Sequence, residues 1–149
     1  MCTDRRNSSA ILAGLIGVGS LGAAGQQPYV NGTIWVANRG THTIQGFDAR
    51  TGAVVRTVAM APNSQPGDLA YAKGKLYVAE EFGTPPAVAI VDPEGGIVLQ
   101  RILFEAGARP HHVHASADGN LIAVGLFGTD KVAVVDTHSD LLLGPWASN

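Results

Sequence analysis

The sequence predicts an all-β protein assembled from four-stranded antiparallel meanders, and three observations carry that prediction. Nineteen Gly and eight Pro among 149 residues cut the chain into short pieces separated by tight turns, which does not suit a helix bundle. Hydrophobic residues make up 46% and charged residues 15%, the balance of a chain that buries a core and not of a disordered one. Above all, Phe47-Asp48, Val91-Asp92 and Val135-Asp136 stand 44 residues apart each time.

Taken in order, the N-terminus is expected to be an export signal, residues 1–25, with the remaining residues 26–149 forming the folded domain. Arg5-Arg6 precede an uncharged run whose apolar part, Ala10 to Ala24, ends in small residues. The run is too short to cross a ~30 Å hydrocarbon layer comfortably as a helix, so no stable membrane span is expected. Sec-type and twin-arginine export both fit, because Asn7, Ser8 and Ser9 follow the Arg pair where the second route prefers bulky apolar residues. An exported protein would work in the periplasm or outside the cell. The same segment holds Gly17, Gly19 and Gly22 in the pattern of a dinucleotide-binding loop. That reading is rejected. Such a loop must open a helix whose amides face the pyrophosphate, and Gln26–Pro28 with Asn31-Gly32 leave no room for one.

Past this segment, Asn31–Asn38, Lys73–Glu80 and Asp118–Gly125 align without gaps, each a Gly-containing turn followed by a buried strand. The next strand of each unit is Thr43–Phe47, Ala87–Val91 and Lys131–Val135. These runs are largely β-branched and too evenly apolar for a helix with one wet face. Each ends on an Asp that opens a turn, where its carboxylate is expected to accept backbone amides. Pro66–Tyr71 pairs with Pro110–Ala115, again 44 residues on, and Phe82–Thr84 with Phe127–Thr129. In the second unit the four strands read Asp68–Tyr71, Leu76–Glu80, Val88–Val91 and Ile97–Ile102. Four antiparallel strands in about 40 to 45 residues is the blade period of a β-propeller.

At these residues the chain resembles the YVTN-type (YncE-like) propeller repeats. Trp35–Asn38, Tyr77–Glu80, Asp118-Gly119 and the three Asp-terminated strands carry the match, which runs from Asn31 to Leu143. Glu80 and Gly125 stand where that repeat usually has Asn. The resemblance implies the fold. For function it implies only a range, since such repeats serve in exported binding proteins, surface-layer proteins and redox enzymes.

About three blades form an incomplete propeller, because a closed ring uses roughly 4 to 8. The first unit offers only Pro28 to Val30 for its innermost strand. The missing blades are expected either from a C-terminal part absent from this sequence or from other copies of the chain.

Chemistry is expected mainly at the cluster Pro110–His114. On a strand His112 and His114 share a face, and His111, at the turn, can swing toward them. Imidazoles in this pattern suit copper, zinc or iron, so His111, His112 and His114 are the candidate metal ligands. His112 aligns with Asp68 of the preceding unit, and both should lie at the mouth of the innermost strands. The alternative is a polar rim without a metal. Glu80 and Glu81 match Asn38 and Arg39 of the first unit. They either frame a cation or polar ligand or stand as solvated loop charges, making Asp68, Glu80 and Arg39 the candidate ligand-binding residues. No catalytic residue is nominated, since no Ser nucleophile elbow exists and Cys2, the single Cys, permits neither a disulfide nor a Cys-based site. Ten basic against twelve acidic residues, net charge −2, argue against a nucleic-acid partner.

The reading is an exported scaffold, without a cofactor, that binds a protein partner or a small ligand at the channel mouth. The alternative is a metal-dependent oxidoreductase or lactonase-like hydrolase built on the same histidines and Asp68.

Overall fold

A computed structural model of the chain describes residues 32–147, and every regular element among them is a β-strand. Three antiparallel sheets follow one another. β1 (Thr33–Asn38), β2 (Thr43–Asp48) and β3 (Val54–Ala59) form the first. β4 (Pro66–Ala72), β5 (Lys75–Glu80), β6 (Ala87–Asp92) and β7 (Ile97–Leu103) form the second, in sequence order. β8 (Pro110–Ala115), β9 (Leu121–Leu126), β10 (Lys131–Asp136) and β11 (Leu141–Ala147) form the third, likewise as a meander. These are the predicted propeller blades. The expected export segment, the Gly17 to Gly22 pattern and Pro28 to Val30 all lie outside the described residues.

Strand periodicity explains how the blades stack. In β5 and β6, Leu76, Val78, Ala89 and Val91 face the first blade, where they meet Ile44, Val58 and Met60, with Trp35 and Ala37 packed against them. Tyr77, Ala79, Val88 and Ile90 face the third blade and meet Val113, Ile122, Val124, Ala133 and Val135. A strand buried on both faces cannot alternate polar with apolar, which is why these runs read as continuously apolar. Trp35 has room because residue 46 is Gly: a Cβ there would lie 2.8 Å from the Thr33 methyl and 3.2 Å from the Trp35 ring.

The turns divide into two rims. The Asp-opened turns share one rim. Asp48 accepts the amides of Arg50 and Thr51, Asp92 that of Glu94, and Asp136 those of His138 and Ser139, at 2.7 to 3.0 Å. Between β4 and β5 the same rim uses a two-residue turn in which Lys73 and Gly74 both have positive φ, the hairpin geometry whose twist matches the strands. The opposite rim gathers the β1–β2 loop, the segments after β5 and β9, and the start of β8. The innermost strands β4 and β8 run as neighbours beneath it.

Candidate functional site

The second rim collects the chain's unusual chemistry because each strand of a meander ends where the equivalent strand of the next blade ends. Arg39 follows β1, Glu81 follows β5, and Arg109 precedes β8, so three blades contribute to one spot. Glu81 is buried, about 1% exposed, and is held by cations from both neighbouring blades. Arg109 donates to Oε1 through Nη2 at 2.6 Å and Nε at 3.1 Å. Arg39 Nη2 stands 2.7 Å from Oε2, and His111 Nδ1 stands 3.2 Å from the same oxygen, neither with a hydrogen in line. Burial pushes the Glu81 carboxyl pKa up, but the close approach of Arg109, Arg39 and His111 together more than offsets it and holds the group below its ordinary value.

Phenyl rings support the guanidiniums. Arg39 and Arg109 lie over Phe82 at 5.3 and 4.8 Å from its centroid, and Arg109 also lies over Phe127 at 5.0 Å. The aligned Phe82–Thr84 and Phe127–Thr129 segments thus place two rings beside one charge cluster. Gln65 fixes Arg39 from the side, accepting its Nε at 3.3 Å.

Asp68 and His112 meet as their alignment predicts. His112 Nδ1 lies 3.4 Å from Asp68 Oδ2, which also accepts the Val113 amide at 3.0 Å, tying β4 to β8. The His112 and His114 rings stack with centroids 6.4 Å apart. His111 is turned to Glu81 and meets the His112 ring edge-on, with centroids 4.5 Å apart. Among the described residues, no three His, Cys, Asp or Glu side chains stand as a group able to hold a metal.

The two glutamates differ from the solvated charges considered above. Both are buried. Glu80 accepts the Ala61 amide at 2.7 Å and Arg101 Nε at 2.8 Å, which commits it to joining the β3–β4 connection to β7. Its position at the end of β5 turns it inward on the face shared with the first blade, where only a paired carboxylate is tolerated. Sequence reasoning missed Arg109 and the central place of Glu81. Two arginines, Arg39 just after β1 and Arg109 just before β8, each at a strand end on this rim, are the signal that was present.

No protein-family model matches the chain, and none of the curated proteins matches it in sequence. Solved structures do match. Hydrazine synthase from Kuenenia stuttgartiensis aligns with a TM-score of 0.70 and 24% identity over 78% of this chain. Virginiamycin B lyase from Staphylococcus aureus aligns with a TM-score of 0.68 and 14% identity over 80% of this chain. Both are propeller-type proteins, and at these identities the likeness shows the fold. The chain spans 33% and 40% of their respective lengths.

Proposed function

We propose that the chain is part of an exported, YVTN-type propeller scaffold whose second rim binds a ligand, either a small molecule or an exposed group of a partner protein. The observation that carries this reading is the network centred on Glu81, in which one buried carboxylate of the middle blade organises Arg39 from the first blade and Arg109 and His111 from the third. Stability alone does not ask for this arrangement, because a buried ion pair gains little over apolar packing. Preorganised donors flanked by aromatic rings are what a recognition surface needs. Asp68 and His112 extend the surface along the β4–β8 edge, and Glu80 stiffens it from beneath. Export rests on Arg5-Arg6 and the apolar run Ala10 to Ala24. Among the described residues no helix is long and apolar enough to cross a membrane.

Mapping backbone amide shifts by NMR during titration with a mixed set of small ligands tests the scaffold reading. Shifts are expected at residues 39–42, 81–86, 104–112 and 127–130. Shifts confined to the opposite rim or to the sheet faces would overturn it.

The Asp68–His112 contact favours a second reading, in which His112 and His114 bind a transition metal with Asp68 and give the protein redox or hydrolytic chemistry. A metal there would have to draw the two stacked imidazoles together, since the residues present form no ready triad. Titration with Cu(II) and Zn(II) decides it: stoichiometric binding that survives His112→Ala with His114→Ala removes these residues as ligands.

A further inference from the structure

The rim network holds more positive charge than its own architecture uses. Two guanidiniums converge on a single carboxylate, and Glu81 is the acidic group they share. Two nearby carboxylates are engaged elsewhere: Asp68 with the Val113 amide and His112, and Glu105 with Lys131 at 2.6 Å. The side chains of Arg39 and Arg109 remain 44% and 38% exposed, so each turns one edge inward to Glu81 and another to solvent.

A guanidinium is planar, with five N–H donors in a rigid fork, and two of its edges can serve two carboxylates at once. Glu81 takes the inner edges and sets both groups in place. Gln65 takes the Nε of Arg39, and both guanidiniums, set over the same Phe82 ring, keep part of their surface open to solvent. Phe82, 40% exposed, and Phe127, 65% exposed, flank them. A bare inorganic anion has no use for such rings. An anion carried on an apolar body would bury both ends.

We propose that Arg39 and Arg109 form a binding site for a small organic carboxylate, with Phe82 and Phe127 as the walls that receive its apolar body. The inference rests on the rim reading given above and deepens it by naming the ligand class. An organic carboxylate is favoured over inorganic phosphate because both can pair with a guanidinium, while only the first brings an apolar body to the exposed Phe82 and Phe127 rings. A lone exposed arginine offers no such preference. Here the donors are fixed by a buried partner before any ligand arrives, which lowers the ordering cost of binding.

The test uses the full chain labelled with nitrogen-15, at low salt, with the Nε–H signals of Arg39 and Arg109 followed directly. Four probes of known charge are titrated: benzoate, inorganic phosphate, benzylamine and benzyl alcohol. Saturable shifts of both arginine signals are expected with benzoate, with phosphate at least about fivefold weaker. Affinity for benzoate should drop roughly tenfold in Arg39→Gln and in Arg109→Gln, as removal of a charged hydrogen-bonding partner would produce. Should either variant fail to fold, the unmodified chain still decides through the ranking of benzoate against phosphate. Phosphate binding as tightly as benzoate, benzoate leaving both signals unmoved, or folded variants that bind benzoate unchanged would each overturn the proposal. If benzylamine or benzyl alcohol moves the rim amides while benzoate does not, the carboxylate inference fails and the rim reading stands. If no probe of any charge touches the rim, both fall.

Discussion

Glu81 shows how one side chain sets the electrostatics of the rim. Its charged form is favoured in the folded protein, because the close approach of Arg109, Arg39 and His111 outweighs the burial that opposes ionisation. A carboxylate whose folded pKa is depressed contributes stability above its ordinary value of 4.5, and the contribution is lost as pH falls through the depressed value. Asp48, Asp118 and Asp136 act with the same sign. Their pKa values are lowered chiefly by the Thr51 amide, the Ser116 hydroxyl and the Ser139 amide respectively. Acid should therefore destabilise the protein even without Glu81. The expectation specific to Glu81 is a difference: the Glu81→Gln variant should be about 2 kcal/mol less stable at neutral pH, a value moderated by the partial exposure of both arginines. That gap should narrow as pH is lowered below about 4.5. Denaturant titrations at several pH values measure it, and parallel stability curves would show that the charge of Glu81 is not involved.

At the scale of the strand, blades are joined by more than apolar contact. Tyr77 in β5 is fully buried, and its hydroxyl donates to Asp140 Oδ1 at 2.7 Å, across the interface in the β10–β11 turn. Lys75 reaches the same carboxylate at 2.7 Å and the Thr137 carbonyl at 2.9 Å. Burial first, and the Asp140 carboxylate next to it, push the Tyr77 pKa well above the usual phenol range, so the hydroxyl stays a donor. Replacing Tyr77 by Phe keeps the ring in the core and removes only this bond. A loss of about 1.5 kcal/mol is expected, as for a hydrogen bond to a charged acceptor. Asp140→Asn should cost more, because it also strips Lys75 of its charged partner in a mostly buried setting and leaves it the Thr137 carbonyl. Urea unfolding of both variants gives the order, and an unaltered midpoint for Tyr77→Phe would mean that the bond does not hold the blades together.

For the whole molecule, the outer face of the third blade is the prominent feature. Leu121, Val132, Leu141 and Trp146 all lie exposed on it, and the register of β9, β10 and β11 puts them on the face opposite the core residues Ile122, Val124, Ala133 and Val135. An apolar sheet face of this kind draws another surface onto it. Sedimentation of the purified chain should show association that grows with concentration, and Leu141→Lys combined with Trp146→Lys should shift the distribution toward monomer. A single monomeric species across the concentration range, unchanged by the substitutions, would contradict this.

The blades were legible in the sequence because they are a local property repeated. A 44-residue period, turn-opening aspartates and evenly apolar strands each follow from short-range sterics and from burial on two faces, and Asp68 meeting His112 follows from the same period. The buried glutamates were not legible. Glu80 and Glu81 look like loop charges in the sequence, since the partners that make their burial tolerable, Arg101, Arg109 and Arg39, lie 21 to 42 residues away. Period alone places residues on equivalent strands. Which side chains cross between blades depends on how the stacked sheets bring their rims together, and charge pairing acts through space with no trace in local spacing. The sequence by itself determined the repeating sheet and the rim on which each turn lies, while only the tertiary structure decided that one carboxylate would gather the cations of both neighbouring blades.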